Sequence, residues 1–162
     1  MEEKFELPIH IEDVDSVTDC WIYNRLAIIK TSPYYKDWIA SHYNLYSDSS
    51  NFHFGEVNIY PPSYHEEILQ RKSLRVFHMD SSNIIDTLKD NIKNGYYIIM
   101  HIKPYIDEDY FHEVLFYGFD DSKQQLISVG VTQRFFQTIC IDYSHMEATI
   151  EDIKKYYLDR PF

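Results

Sequence analysis

The sequence predicts an α+β domain with a mostly antiparallel sheet, and three features of the 162-residue chain lead to this prediction. Helical patterns come first, closely spaced strand patterns follow from about residue 95, and one helical pattern closes the chain. The stretch Gly95–Gly130 carries two apolar strands and a third that returns after the turn residues DDSK. The chain is long enough for one sizeable core, so we expect a single domain over residues 1–162.

The first half of the chain contains two helical patterns and several short strand patterns. Thr18 or Asp19 can cap the first helix, and Pro61-Pro62 ends the strand pattern over 52–60. In order, we expect a strand or extended arm over 5–9, helices over about 20–30 and 34–46, a strand over 52–60, and a short helix or strand within 63–79.

The second half is more regular. Its helix has Asp80 or Ser82 as a possible cap, an apolar face that includes Ile84 and Leu88, and Asn94-Gly95 as its end. After it we expect strands over 96–102, 113–119, 125–131 and 134–141, and a closing helix from the capping-box pattern SHME (144–147) to about 157.

Composition excludes several classes of function. With 15 basic and 26 acidic residues the formal charge is −11, which repels nucleic acid and anionic membranes. The N-terminus lacks a signal-peptide pattern, and no apolar run approaches the ~20 residues that span a bilayer. Two cysteines make no disulfide framework, so we expect a cytoplasmic protein with reduced thiols. Without a phosphate-binding, dinucleotide-binding or HExxH motif, neither a cofactor nor a metal is expected.

Cys20 and His112 are the candidate catalytic pair. Cys20 falls in the first turn of the first predicted helix, where the partial positive charge of the helix end lowers the pKa of a thiol. His112 opens a predicted strand, and an adjacent imidazole would further stabilise the thiolate. Each residue taken alone has an ordinary structural explanation, as a small apolar side chain and a strand-edge histidine respectively.

The segments DCWIYNRLAIIK, GYYIIMHI (95–102) and HEVLFYGFDD (112–121) carry a family resemblance. Across residues 12–153 the chain resembles the N-terminal domain of the butirosin-biosynthesis acyltransferase family, which is papain-like and related to bacteriocin-processing cysteine peptidases. The resemblance implies a papain-like fold with N-terminal helices packed on the sheet. It also implies cysteine-dependent acyl transfer or thioester or amide cleavage in a bacterial natural-product pathway, acting on an acyl carrier protein or a peptide.

The sequence departs from that family at the residue that orients the imidazole. The family places an Asp or Asn about sixteen residues after the histidine, where this chain reads Ile127–Gly130. Ser128 is the polar side chain in that segment and is our third site residue, while Asp142 lies one predicted strand further on.

Two other classes of function therefore stay open. The first is a catalytically degenerate papain-like module that binds a peptide, carrier protein or partner. The second, an acidic inhibitor of a basic toxin, rests on charge alone.

Overall fold

The computed structural model describes residues 3–11, 20–37, 43–44, 56–57, 83–102, 112–132 and 135–158. The chain forms two compact units, one of Met1–Leu7 with Ser73–Phe162 and one of Pro8–Lys72. The expectation of a single domain stays a prediction. In the described residues, no helix is both long and apolar enough to cross a membrane.

The described residues of the unit Pro8–Lys72 contain a ten-residue helix, a short helical segment at 35–37 and a two-stranded sheet. Helix α1 (Cys20–Ile29) confirms the first predicted helix and buries Leu26, Ala27, Ile28 and Ile29. Strand β2 (Tyr43–Asn44) pairs antiparallel with β3 (Glu56–Val57). The second predicted helix is correct at 35–37 but wrong at its end, because Tyr43 pairs with Val57 in the sheet. The other predicted positions over 52–79 lie outside the described residues.

Among the described residues, the other unit has a five-stranded antiparallel sheet with two helices, which confirms the α+β prediction. Its elements are β1 (Lys4–Glu6), α2 (Ile84–Lys93), β4 (Ile98–Ile102), β5 (His112–Asp120), β6 (Gln125–Thr132), β7 (Phe135–Asp142) and α3 (Tyr143–Leu158). The strands run in the order β1-β5-β6-β7, and β4 also pairs with β5. All the predicted strands of this half are present, with ends shifted by one or two residues.

The ends of α2 show which capping predictions hold. Gly95 has φ +86, its N–H donates to Ile92 O at 2.9 Å, and the N–H of Tyr96 donates to Asn91 O at 3.0 Å. This pair of bonds is the Schellman arrangement, which confirms the predicted helix end. The predicted N-cap is wrong, since Asn83 occupies that position, and its side chain makes no capping hydrogen bond. Asp80 and Ser82 lie outside the described residues.

Helices α2 and α3 cover one face of the sheet. Apolar side chains spaced three and four residues apart on each helix meet the alternate residues of the strands. This core contains Ile84, Leu88 and Ile92 of α2, Met146, Ile150 and Ile153 of α3, and Val114, Phe116, Phe119, Leu126, Ile139 and Ile141 of the sheet. Helix α3 begins at Tyr143, one residue before the predicted cap, so Ser144 lies inside its first turn.

Strand β5 is buried along both faces. Leu115 and Tyr117, which alternate to the other face, are buried as Val114 and Phe116 are on the helix side. The pairing between β5 and β6 shifts between Phe116 and Gly118, so Tyr117 forms a bulge. These features match the prediction of an apolar strand over 113–119, and they fix the register around His112.

Candidate functional site

Cys20 and His112 each open the element that the sequence predicts for them. Cys20 is the first residue of α1, and His112 is the first residue of β5, opposite Ile102 of β4. Cys20 belongs to the unit Pro8–Lys72 and His112 to the other unit. Both side chains lie outside the described part of the chain, so the pairing of thiol and imidazole stays a prediction.

Ser128 lies in the core beside α2 and α3, and not at the level of His112. It pairs with Phe116 of β5, four residues along from His112, which corresponds to about 13 Å of strand. The combined reach of a serine and a histidine side chain is too short to bridge that separation by a hydrogen bond. The Ser128 hydroxyl donates instead to the backbone carbonyl of Ile139 at 2.8 Å, and the residue is fully buried. The register therefore assigns Ser128 a structural hydrogen bond and separates it from His112.

Asp142 is farther from His112 still. It ends β7 opposite Gln125, which pairs in turn with Asp120 at the opposite end of β5 from His112. Eight residues of strand correspond to about 26 Å. The Asp142 carboxylate accepts a hydrogen bond from Gln125 Nε2 at 2.9 Å. Neither alternative for the orienting residue therefore lies near His112.

Asn24 is a buried polar residue of α1 that the sequence pattern does not reveal. It is 0% exposed, and its Oδ1 atom accepts no hydrogen bond, although the residue takes part in other interactions. Positions 20 and 24 share one face of a helix. The helix of the candidate nucleophile thus carries a polar group in an otherwise apolar buried stretch.

The sheet end opposite His112 carries an open groove of about 830 Å3 in the same unit. Its walls are α2, the β5–β6 turn and the start of α3. The lining is polar and contains four carboxylates and two lysines among its ten residues: Ile85, Asp86, Lys89, Asp121, Lys123, Gln124, Asp142, Tyr143, Ser144 and Glu147.

Three residues form the floor of this groove. One carboxylate oxygen, Asp121 Oδ1, accepts hydrogen bonds from Lys89 Nζ at 2.6 Å and from the Tyr143 hydroxyl at 2.7 Å. The ammonium group of Lys89 also lies 5.0 Å from the centroid of the Phe119 ring. We call these residues, Lys89, Asp121 and Tyr143, the floor cluster. It ties α2, the β5–β6 turn and α3 together.

Charge and burial shift two pKa values in the floor cluster. For Asp121, burial acts upward, but the hydrogen bonds from Lys89 and Tyr143 prevail and lower the pKa of the carboxyl overall. For Tyr143, burial, together with the hydrogen bond to Asp121, raises the pKa of the phenol well above its usual range. The cluster is therefore held as a carboxylate with two proton donors at neutral pH.

Comparison with family models, curated proteins and solved structures finds no match. The resemblance to the butirosin-biosynthesis acyltransferase family stays a prediction.

The most specific segment of that resemblance has a structural explanation in this fold. Gly118 is where β1 approaches β5, with Glu6 directly opposite. Asp120 Oδ1 accepts hydrogen bonds from the backbone N–H and the hydroxyl of Ser122 at 3.1 and 2.5 Å, which closes the turn. Asp121 holds the floor cluster. The GFDD part of the segment is thus accounted for by packing and turn chemistry.

Proposed function

We propose that this protein cleaves or transfers an acyl group from a thioester or amide, with Cys20 as the nucleophile and His112 as the proton acceptor. The observation that carries the proposal is that Cys20 opens α1 and His112 opens β5, the two positions that this chemistry favours. A helix start stabilises a thiolate, and a strand holds an imidazole in a fixed direction.

The proposed reaction has two steps, acylation and then deacylation of Cys20. The Cys20 thiolate attacks the carbonyl carbon, and the imidazolium of His112 gives a proton to the departing thiol or amine, leaving an acyl thioester on Cys20. An amine or water then attacks this thioester while His112 accepts its proton, and Cys20 leaves as the thiolate. The resemblance suggests a peptide or carrier-bound substrate, in a cytoplasmic bacterial natural-product pathway.

The first test compares the reactivity of the two cysteines. We expect iodoacetamide to alkylate Cys20 about tenfold faster than Cys140 at pH 6, because the helix start and the imidazole would increase the thiolate fraction of Cys20 by more than the accompanying loss of nucleophilicity offsets. Cys140 is an internal reference, since it is exposed on β7. The measurement is peptide mass spectrometry across a pH series.

His112→Ala is the matched variant. It should lower the alkylation rate of Cys20 to that of Cys140. An acyl N-acetylcysteamine thioester then probes the chemistry itself, because acylation of Cys20 appears as a mass increase that Cys20→Ala abolishes. Equal, slow labelling of both cysteines together with no acyl adduct would overturn the proposal.

The groove favours a second candidate function, binding of a basic peptide segment by a catalytically inactive module. Asp86 and Glu147 line the groove from α2 and α3, and the carboxylate of neither forms an ion pair or hydrogen bond with the described part of the chain. With four carboxylates against two lysines, the lining attracts lysine or arginine side chains.

For this second function we expect the double variant Asp86→Asn/Glu147→Gln to weaken binding of a fluorescent oligolysine peptide about tenfold at low salt, since two rim carboxylates are lost. Fluorescence anisotropy measures the change. Asp90→Asn/Asp152→Asn is the control, because it removes the same charge from exposed positions outside the groove. Cys20→Ala should bind the peptide as the wild type does. An equal loss of affinity in the control variant would show that net charge, and not the groove, determines binding.

A further inference from the structure

Two strands share one edge of β5. Strand β4 pairs with the first part of this edge, at His112–Phe116, and β1 pairs with the part beyond it, at Gly118–Asp120. Backbone hydrogen bonds of 2.8 and 2.9 Å, made by the residues on either side of β1, extend the contact by one residue at each end. We call this stretch of β5, residues 117–121, the edge site. Its backbone N–H and C=O groups are a template for one extended segment, and β1 occupies that place.

Side-chain contacts make the edge site selective. The ring of Phe5 stacks on Phe119, with centroids 6.1 Å apart, and is partly buried against the core. The carboxylate of Glu3 pairs with Lys93 Nζ at 2.6 Å. At Gly118 there is no room for a side chain, because a Cβ atom would lie 2.7 Å from the backbone oxygen of Phe5. The edge site therefore fits an extended segment with an acidic residue two positions before an aromatic one.

Strand β1 is suited to leave the edge site while the rest of its unit stays folded. It is three residues long, with Lys4 and Glu6 exposed and Phe5 half-buried. The chain then passes into the unit Pro8–Lys72 and returns to the sheet unit at Ser73. Strands β4 to β7 and both helices come after that return, so their pairing with one another does not require β1. A short, largely exposed strand opens at a lower free energy than the strands of a core.

We propose that the edge site also takes β1 from a second copy of this chain, so that two copies exchange their β1 strands and form a dimer. A second copy carries the identical segment, so it reproduces every hydrogen bond and ring contact that β1 makes within one chain. The two forms then differ mainly through the local concentration of β1, which a flexible connection keeps at about the millimolar level. The exchange involves neither Cys20 nor His112, so it stands or falls separately from the proposed function.

Mixing two single-cysteine variants detects the exchange. Lys4 of β1 and Asp120 of β5 are paired residues, close enough for a disulfide when both are cysteine. One copy carries Lys4→Cys and the other, labelled with 15N, carries Asp120→Cys, both in a Cys20→Ser/Cys140→Ser background. Apart from random collisions, a disulfide between the two copies requires β1 of one copy to lie on β5 of the other. Intact mass spectrometry identifies this mixed product by its label.

The control for random collisions mixes the Lys4→Cys copy with labelled Cys20→Ser. This partner keeps the native Cys140, which is exposed on β7, two strands away from β5. At about 1 mM protein we expect at least about tenfold more mixed disulfide than in the control. Salt of about 0.5 M screens the repulsion between two chains of charge −11.

A second change tests whether the contacts of the edge site determine the exchange. Adding Phe5→Ala to the Lys4→Cys copy should lower the yield of mixed disulfide about fivefold, since the ring contact with Phe119 is lost. A yield no higher than that of the control, or one that Phe5→Ala leaves unchanged, overturns the inference.

Sedimentation of the wild type tests the exchange without any substitution, in case Asp120→Cys impairs folding through the turn that Asp120 closes. We expect a monomer at about 10 µM and a measurable dimer fraction at about 1 mM after prolonged incubation. A monomer at every concentration would also overturn the inference.

Discussion

Asp121→Ala should lower the free energy of unfolding by about 3 kcal/mol, because it leaves two largely buried proton donors without their acceptor. Asp121 Oδ1 accepts from both Lys89 Nζ and the Tyr143 hydroxyl, at 2.6 and 2.7 Å. The side chain of Lys89 is 17% exposed and Tyr143 is 8% exposed, so water replaces the lost acceptor incompletely. Urea denaturation followed by circular dichroism measures the change.

Two companion variants locate the source of that loss. Asp121→Asn keeps an oxygen acceptor but removes the charge. Its free energy of unfolding should therefore lie between those of the wild type and Asp121→Ala. Asp90→Ala changes an exposed carboxylate on the same helix as Lys89 and should cost less than about 0.5 kcal/mol. A loss in Asp121→Ala no larger than in Asp90→Ala would show that the floor cluster contributes little.

The dependence of this effect on pH has a definite sign. The pKa of Asp121 is lower in the folded chain than its ordinary value near 4, so its contribution is present above about pH 4 and is lost as pH falls through the folded pKa. The stability difference between wild type and Asp121→Asn should therefore shrink in acid. The raised pKa of Tyr143 has its effect at alkaline pH. The contribution of Tyr143 to stability is present below about pH 10 and is lost as the pH rises above that value.

The strands and helices of the sheet unit could be predicted because their signals are local. Apolar residues at Ile84, Leu88 and Ile92 repeat with the period of a helix, and all three are buried in the core. The glycine that ends α2 has the positive φ that such a helix end requires. The turn after β5 is closed by Asp120, whose side chain accepts from the residue two positions later, another local interaction.

The partners within the site could not be predicted, because they depend on register. A spacing of sixteen residues selects Ser128, whereas the actual turn and the bulge at Tyr117 place Ser128 opposite Phe116. A one-residue bulge changes every later pairing without leaving a clear mark in a single sequence. The floor cluster was missed for a related reason, because its members lie 32 and 22 positions apart.

Gly118 has a role that its neighbours in the sequence do not indicate. Its place in GFDD suggests a glycine chosen for the following turn, yet the turn begins after Asp120. The structural reason is β1, which comes from the other end of the chain and pairs Glu6 with Gly118. Contacts between segments so far apart in sequence cannot be read from local pattern.

Gly118→Ala should therefore lower the free energy of unfolding by about 2–4 kcal/mol, since the added methyl group has no room. Its Cβ would lie 2.7 Å from the backbone oxygen of Phe5 and 2.8 Å from Glu6 Cγ. A backbone oxygen cannot move aside unless β1 moves, and β1 also stacks the Phe5 ring on Phe119 with centroids 6.1 Å apart. The alanine variant must strain β5 or displace β1.

Gly130→Ala is the matched control for this prediction, because its Cβ would meet the terminal carbon of Ile139 at 3.2 Å, and that side chain can shift. We expect it to cost less than about 1 kcal/mol. Hydrogen exchange distinguishes displacement of β1 from strain in β5. The N–H of Leu7 donates to Tyr117 O at 2.8 Å and is protected from exchange only while β1 stays paired. Fast exchange at Leu7 in Gly118→Ala alone would show that β1 has left the sheet. Equal stability of the two variants would contradict the close approach of β1 to Gly118.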